Sequence, residues 1–366
     1  MKVGILTFPN SISYGATLQM YATYHTVNRL GYEAEVINYH NAYMKAEKHF
    51  AQSKLSIAKS QFRKIMHHRL YRVFRDFENK KMISFPHSAF QDRDCLREVG
   101  QRYGAVICGS DQVWNPDITD GDLSFFLDFC GEKTRRIAYA PSFGVEELPE
   151  DFKHAVATEL SAFHAVSVRE ESGRKLVKDM LGREVPIVLD PTMLLNAEDW
   201  SKMEKTHRKA SGDYIFYYTI KRSDSLMKFC RELSKKTGMK IVVAGGNFLK
   251  NLKNRDPMVE YAVDISPQEW LYLLHHANYV VTNSFHGTAF SINFRKDFYV
   301  EFSSHTNSRL ANIVQMLGLE ERVVKNGEII VPTSADYRKT DLVLPELYRQ
   351  SMTYLTEALR EGEARG

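Results

Sequence analysis

The chain has 366 residues, 43% of them hydrophobic, 26% charged and 12% aromatic, with a net charge of +4. That composition belongs to a globular protein and not a disordered one, the length predicts two domains, and so mild a charge gives no reason to expect nucleic acid as a partner. No apolar run approaches the ~20 residues that span a bilayer, and the scattered Cys95, Cys108, Cys130 and Cys230, without Cys-x-x-Cys or Cys/His clustering, argue against disulfides and a structural metal.

The N-terminus, "MKVGILTF", is too short for a signal h-region and reads as a first strand, which predicts a protein that stays inside the cell. The corner "NSISYGATLQMYAT" follows, with Asn10, Tyr14 and Gly15 ahead of a helix at about 15–30 that carries Gln19. Such an approach to a helix start offers free N–H groups to an anion or a sugar hydroxyl; a plain capped turn has the same letters. No G-x-G-x-x-G or G-x-x-x-x-G-K-[ST] pattern supports nucleotide binding. After the strand "EAEVINY", eleven Lys/Arg stand against three Asp/Glu between Lys45 and Lys81. Apolar residues at helical spacing run through them, which predicts a basic amphipathic helix within an insert at about 45–90. Its charged face is either simply solvated or suited to an anionic membrane or acidic glycan carrier. The strand "GAVICGS" ends in "DQVWNPD", where Asp111 and Trp114 could bind and stack on a sugar or merely cap and cover the loop. "RRIAYAPS", "HAVSVRE" and "VPIVLD" read as further strands. Arg169, ending an otherwise apolar strand, is expected to project into an interdomain cleft, where arginine suits bidentate capture of a carboxylate or phosphate.

A polar, Lys-rich break at about 193–212 separates a first domain, 1–195, from a second, 205–366, whose last helix is a candidate to pack back on the first. The second domain repeats the alternation with "YIFYYTI", "KIVVAGG", "YVVTNS" and "DFYVEF". Strands alternating with helices predict parallel sheets flanked by helices: α/β, with two Rossmann-like domains facing a cleft. Ligands in such sheets bind beyond the carboxyl ends of the strands. The corner Asn283-Ser284-Phe285-His286-Gly287 is one of those ends. A histidine in the first turn of the following helix, where the dipole disfavours a cation, reads as an acid–base group, with an ordinary surface or core histidine as the alternative.

Taken in order, "NSISYGATLQ", "GSDQVWN", "APSFG", "SVREES", "LDPTMLL" and "TNSFHGTAFSINF" resemble the polysaccharide pyruvyl transferases, and the resemblance runs nearly the length of the chain. It implies a fold like the B-type glycosyltransferases and transfer of a pyruvyl group from phosphoenolpyruvate to two hydroxyls of one sugar, closing a cyclic ketal. It implies that Arg169 and His286 hold the donor, and that neither metal nor cofactor is needed beyond phosphoenolpyruvate as co-substrate. Some relatives carry an Arg two residues before the histidine; this chain has Ser284 there and Phe285 next. Arg309, at the start of the helix after "DFYVEF", is the candidate replacement, with a helix-surface arginine as the alternative. Ser284 and Phe285 complete the expected donor side. Asn10, Tyr14, Gly15, Gln19, Asp111 and Trp114 make up the expected acceptor side.

The expected partners are thus phosphoenolpyruvate and a sugar or lipid-linked oligosaccharide, with an anionic surface at the inner face of the cytoplasmic membrane as a docking place. Two other functions fit the same fold. One is a sugar-nucleotide-dependent glycosyltransferase, for which Glu320 and Glu328 show E-x7-E spacing, here read as accidental. The other is a non-catalytic glycan-binding relative.

Overall fold

The computed structural model describes residues 1–40, 57–90, 92–244, 256–302, 307–324 and 332–360. It divides into two compact units: unit 1 comprises Met1–Leu194 and Glu346–Gly366, and unit 2 comprises Leu195–Pro345.

In unit 1 a six-stranded parallel sheet is built from β1 (Lys2–Leu6), β2 (Glu33–Tyr39), β3 (Ser84–Phe90), β4 (Ala105–Cys108), β5 (Arg135–Ala138) and β6 (Ala165–Val166). The order is β3-β2-β1-β4-β5-β6. Its helices are α1 (Tyr14–Arg29), α2 (Ile57–Lys81), α3 (Arg93–Gly100), α4 (Pro116–Thr119), α5 (Glu150–Ser161) and α6 (Glu171–Leu181). Strands covered on both faces must be apolar throughout, and β1 and β4 are buried along almost their whole length. The stretch "VPIVLD" differs from expectation. It forms no strand; Ile187 makes a single bridge to Val168, just past β6, because Pro186 has no N–H to extend a ladder. Within the basic insert, residues 41–56 lie outside the described residues, and the chain then forms α2. Phe74 and Phe77 of this helix are buried. Phe74 packs on Tyr14, with ring centroids 5.0 Å apart, so that part of α2 lies on α1 and leaves Arg72 exposed.

Unit 2 holds α7 (Ala197–Ser201), α8 (Asp224–Thr237), α9 (Pro267–His275), α10 (Phe285–Asn293) and α11 (Asn307–Leu317) around a second parallel sheet. That sheet contains β7 (Tyr214–Tyr218), β8 (Lys240–Ala244), β9 (Val259–Ala262), β10 (Tyr279–Thr282) and β11 (Asp297–Val300), in the order β11-β10-β7-β8-β9. The final helix, α12 (Arg338–Leu359), carries Pro345 in its interior. From Glu346 onward it belongs to unit 1. There Tyr354 donates its hydroxyl to the Ala138 carbonyl at 2.8 Å, and Ser351 Oγ accepts from the Leu189 N–H at 2.9 Å.

Candidate functional site

Each sheet has one place where the chain reverses its direction of strand addition, and a crevice opens beyond the strand ends at that place. In unit 1 it lies between β1 and β4. Gln19 of α1 pins the two strand ends together: its Nε2 donates to Thr7 Oγ1 at 2.8 Å and its Oε1 accepts from the Ser110 N–H at 3.2 Å. Gly109 is required at the corner. Its φ is +107°, and a Cβ would stand 2.4 Å from the Tyr139 carbonyl oxygen.

The next residue but one, Asp111, adopts φ 70°. Its Oδ1 accepts from the Gln112 N–H at 2.8 Å and lies 3.8 Å from Arg169 Nη2. Arg169 is only 4% exposed. Its Nη1 donates to Asp190 Oδ2 at 2.9 Å, and its Nε lies 3.7 Å from Glu170 Oε2. Asp190 also accepts from the Thr192 N–H and hydroxyl at 3.0 and 2.7 Å, while Glu170 accepts from Ser142 Oγ at 2.7 Å. Burial works against the charge on Arg169. Asp190, Asp111 and Glu170 outweigh that, and its pKa is raised above the ordinary arginine value.

This corrects the expectation for Arg169. The guanidinium does not stand clear of its neighbours awaiting an anion, since three carboxyl groups already surround it. Glu170, its immediate neighbour in the chain, is one of them. The acceptor-side expectations change in a similar way. Trp114 is fully buried, stacked on Phe126 with centroids 5.1 Å apart, and donates Nε1–H to the Phe125 carbonyl at 3.0 Å. A ring in the core cannot also stack on a sugar. Tyr14, Gly15 and Gln19 are buried on α1. Asn10, at φ 60°, donates its side chain to Asn38 Oδ1 at 2.6 Å and its backbone N–H to Glu78. Of the acceptor-side set, Asp111 keeps a partly exposed side chain, at 15%.

In unit 2 the reversal falls between β7 and β10. Asn283 ties the two strand ends together. Its Oδ1 accepts from the Ile220 N–H at 3.0 Å and its Nδ2 donates to the Lys221 carbonyl at 2.8 Å. Ser284 caps α10, its Oγ accepting from the Gly287 N–H at 3.2 Å. That bond fixes the helix start and uses one acceptor position of the Ser284 hydroxyl. Gly287 lets the helix press on its strand, because a Cβ there would lie 2.5 Å from Thr282 Oγ1. His286 follows the cap, 8% exposed, edge-on to Phe285 with centroids 5.3 Å apart. Ser284, Phe285 and His286 therefore share one turn. Arg309 sits on the first turn of α11, which packs against α10, and is 7% exposed. An ordinary helix-surface arginine would be far more exposed.

The letters carry no sign of the contacts made by Asp190, Glu170 and Ser110, nor of the strand-tying role of Asn283. "LDPT" and "GSDQ" were visible as motifs, but nothing in their letters said that Asp190 and Ser110 would approach each other at 3.2 Å across 80 residues. Of the E-x7-E pair, Glu320 begins a short 3-10 turn, and Glu328 lies outside the described residues.

Two solved structures share the overall fold. A UDP-N-acetylglucosamine 2-epimerase from Rickettsia bellii superposes with a TM-score of 0.51 at 10% identity, covering 95% of this chain and 87% of its own. A candidate UDP-N-acetylglucosamine 2-epimerase from Listeria monocytogenes gives 0.51 at 8%, covering 97% and 90%. The E. coli heptosyltransferase WaaC with ADP is a looser likeness, at 0.43 and 14%, covering 95% and 100%. At such identities the likeness concerns fold alone, which is that of the B-type glycosyltransferases. No curated protein matches the chain in sequence. The family model described as polysaccharide pyruvyl transferase matches residues 14–300, a span that begins after β1 and includes Gln19, Asp111, Arg169 and the His286 turn. The chain belongs to the polysaccharide pyruvyl transferase family.

Proposed function

We propose that the protein transfers the pyruvyl group of phosphoenolpyruvate to two hydroxyls of one sugar in a surface polysaccharide or its precursor, forming a cyclic ketal. Family membership over residues 14–300 supports the reaction class. The observation that carries the assignment of roles is His286, nearly buried in the first turn of α10 at the strand-reversal corner of unit 2.

His286, as imidazolium, protonates the methylene carbon of the donor, and positive charge develops at the central carbon. A sugar hydroxyl attacks there and its proton returns to the imidazole. The bond from the central carbon to the phosphate oxygen then breaks, the second hydroxyl closes the ring, and its proton leaves with phosphate. The start of α10 favours the anionic donor, and Arg309 supplies the cation. Arg169 is placed on the acceptor side: it holds Asp111, Glu170 and Asp190 in register, and the partly exposed Asp111 receives a hydroxyl of an uncharged sugar. The protein works at the inner membrane face, held there by the charges of α2. Among the described residues no helix is long and apolar enough to cross a membrane.

Incubation with phosphoenolpyruvate and candidate glycans tests the proposal, followed by phosphate release and the mass gain of one pyruvylidene group. Equal phosphate release with and without glycan, and no mass gain, would overturn it. Product formation from a nucleotide sugar instead would install the glycosyltransferase reading.

A further inference from the structure

We propose that Glu204, His275 and His276 form a binding site for one divalent transition-metal ion of the zinc class, separate from the proposed reaction. The site stands at the amino end of β10, the strand whose carboxyl end carries the His286 turn.

His275 is the last residue of α9 and His276 is its C-cap. Neighbouring residues on a helix face different directions, yet both rings reach one carboxylate by using different nitrogens. His275 Nδ1 lies 2.6 Å from Glu204 Oε1, and His276 Nε2 lies 3.1 Å from Glu204 Oε2. One ligand atom from each of the three residues lies within 4.8 Å of the other two. The rings are held in that attitude by stacking. His275 lies on Phe294 with centroids 4.1 Å apart and planes 13° from parallel, and His276 lies over Tyr272 at 4.1 Å. Glu204 is the enclosed member, its side chain 9% exposed. The adjacent Lys205 is drawn toward Glu269, at 3.6 Å.

Two imidazole nitrogens and a carboxylate oxygen are the ligand chemistry of zinc-class ions, and three protein ligands leave a position for water. Bonds of about 2.0–2.1 Å in a tetrahedron set ligand atoms roughly 3.3 Å apart, so a small rotation of the Glu204 carboxylate admits the ion. The ion takes the place of the hydrogen bonds that now join rings to carboxylate and binds imidazole nitrogens that carry no proton, so its binding weakens in acid. The carboxyl end of the α9 dipole favours a cation there. Bound, the ion ties the turn after α7 to the end of α9. The start of α9 is already joined to that turn by Gln268 Nε2 donating to the Met203 carbonyl at 2.8 Å.

Chelator-treated full-length protein titrated with Co²⁺ should develop visible d–d absorption that saturates at one equivalent and is displaced by Zn²⁺. Zn²⁺ should also raise the thermal unfolding midpoint. His276→Gln is the clean variant, because that side chain is 44% exposed and its loss leaves the core intact. It and Glu204→Gln should each weaken Co²⁺ binding at least tenfold. Absence of a Co²⁺ band would leave the contacts as carboxylate–imidazole hydrogen bonds and overturn the proposal. Binding that survives in both variants would place the ion on other histidines, with the same consequence.

Discussion

Replacing Arg169 with Ala would leave Asp111, Glu170 and Asp190 gathered around no cation. Removing one partner of a buried ion pair costs about 3–5 kcal/mol, and here a single guanidinium serves three carboxyl groups within 3.8 Å. Urea denaturation of Arg169→Ala should show a loss of that order; a change below about 1 kcal/mol, the scale of an exposed pair, would contradict the geometry. Arg169→Lys keeps the charge without the fork, so it should recover part of the stability. His286 calls for the opposite pattern. His286→Ala should lower turnover by about a hundredfold or more, the scale of lost acid–base catalysis, while the fold survives, and His286→Gln should not restore it. Near-normal turnover in either variant would remove the proton shuttle. These two residues also mark what the letters could convey. A histidine at a strand-to-helix corner announces itself locally. Two partners of Arg169, Asp190 and Asp111, come from the stretch after Pro186 and from the end of β4, 21 and 58 positions away, and only the fold brings them to it.

At the scale of elements, apolar runs broken by polar corners gave away the parallel strands, because buried parallel strands cannot alternate. What stayed hidden obeyed weaker local rules. β3 contains Phe85-Pro86 and pairs with a register shift beside Ile37, so it lacks the look of a strand. β9 is only four residues long and only partly buried, so it shows no clear apolar run. Trp114 was legible as an aromatic on a loop, but not as a ring enclosed by Phe126, Phe143 and Phe163. The seat of α10 on β10 gives the test at this scale. A methyl group at Gly287 would meet Thr282 Oγ1 at 2.5 Å. Thr282 is fully buried and β-branched, so it has little freedom at χ1 to yield. The helix start would have to move instead. Overpacking of this kind costs about 1–3 kcal/mol. If the proposed chemistry is right, displacing His286 should lower turnover in Gly287→Ala by more than the lost stability explains. Wild-type activity in a fully folded Gly287→Ala would show that the close seat does not matter to function.

At the scale of the whole molecule, the formal charge of +4 is unevenly spread, since residues 45–81 alone carry eleven Lys/Arg against three Asp/Glu. The rest of the chain is therefore slightly acidic in balance. Phe74 and Phe77 of α2 are buried, and pulling them out to enter lipid would uncover Tyr14 and Tyr21 beneath them. Attraction by charge, without insertion, is the mode consistent with that packing. Each Lys or Arg near an anionic surface contributes about 1 kcal/mol, and the attraction weakens within a Debye length of about 10 Å at 0.1 M salt. With Arg72 exposed on the same helix, a handful of such contacts would give reversible adhesion that fades as salt rises. Sedimentation with phosphatidylserine-containing vesicles should show binding at low ionic strength and its loss toward physiological salt. Substituting Lys59, Arg63, Lys64 and Arg72 together by Gln should abolish binding and leave turnover on a soluble acceptor intact. If wild-type protein ignores the vesicles even at low salt, the charges of α2 serve solvation alone. If the fourfold variant loses turnover on soluble acceptors as well, the helix belongs to the acceptor's path and not to the membrane.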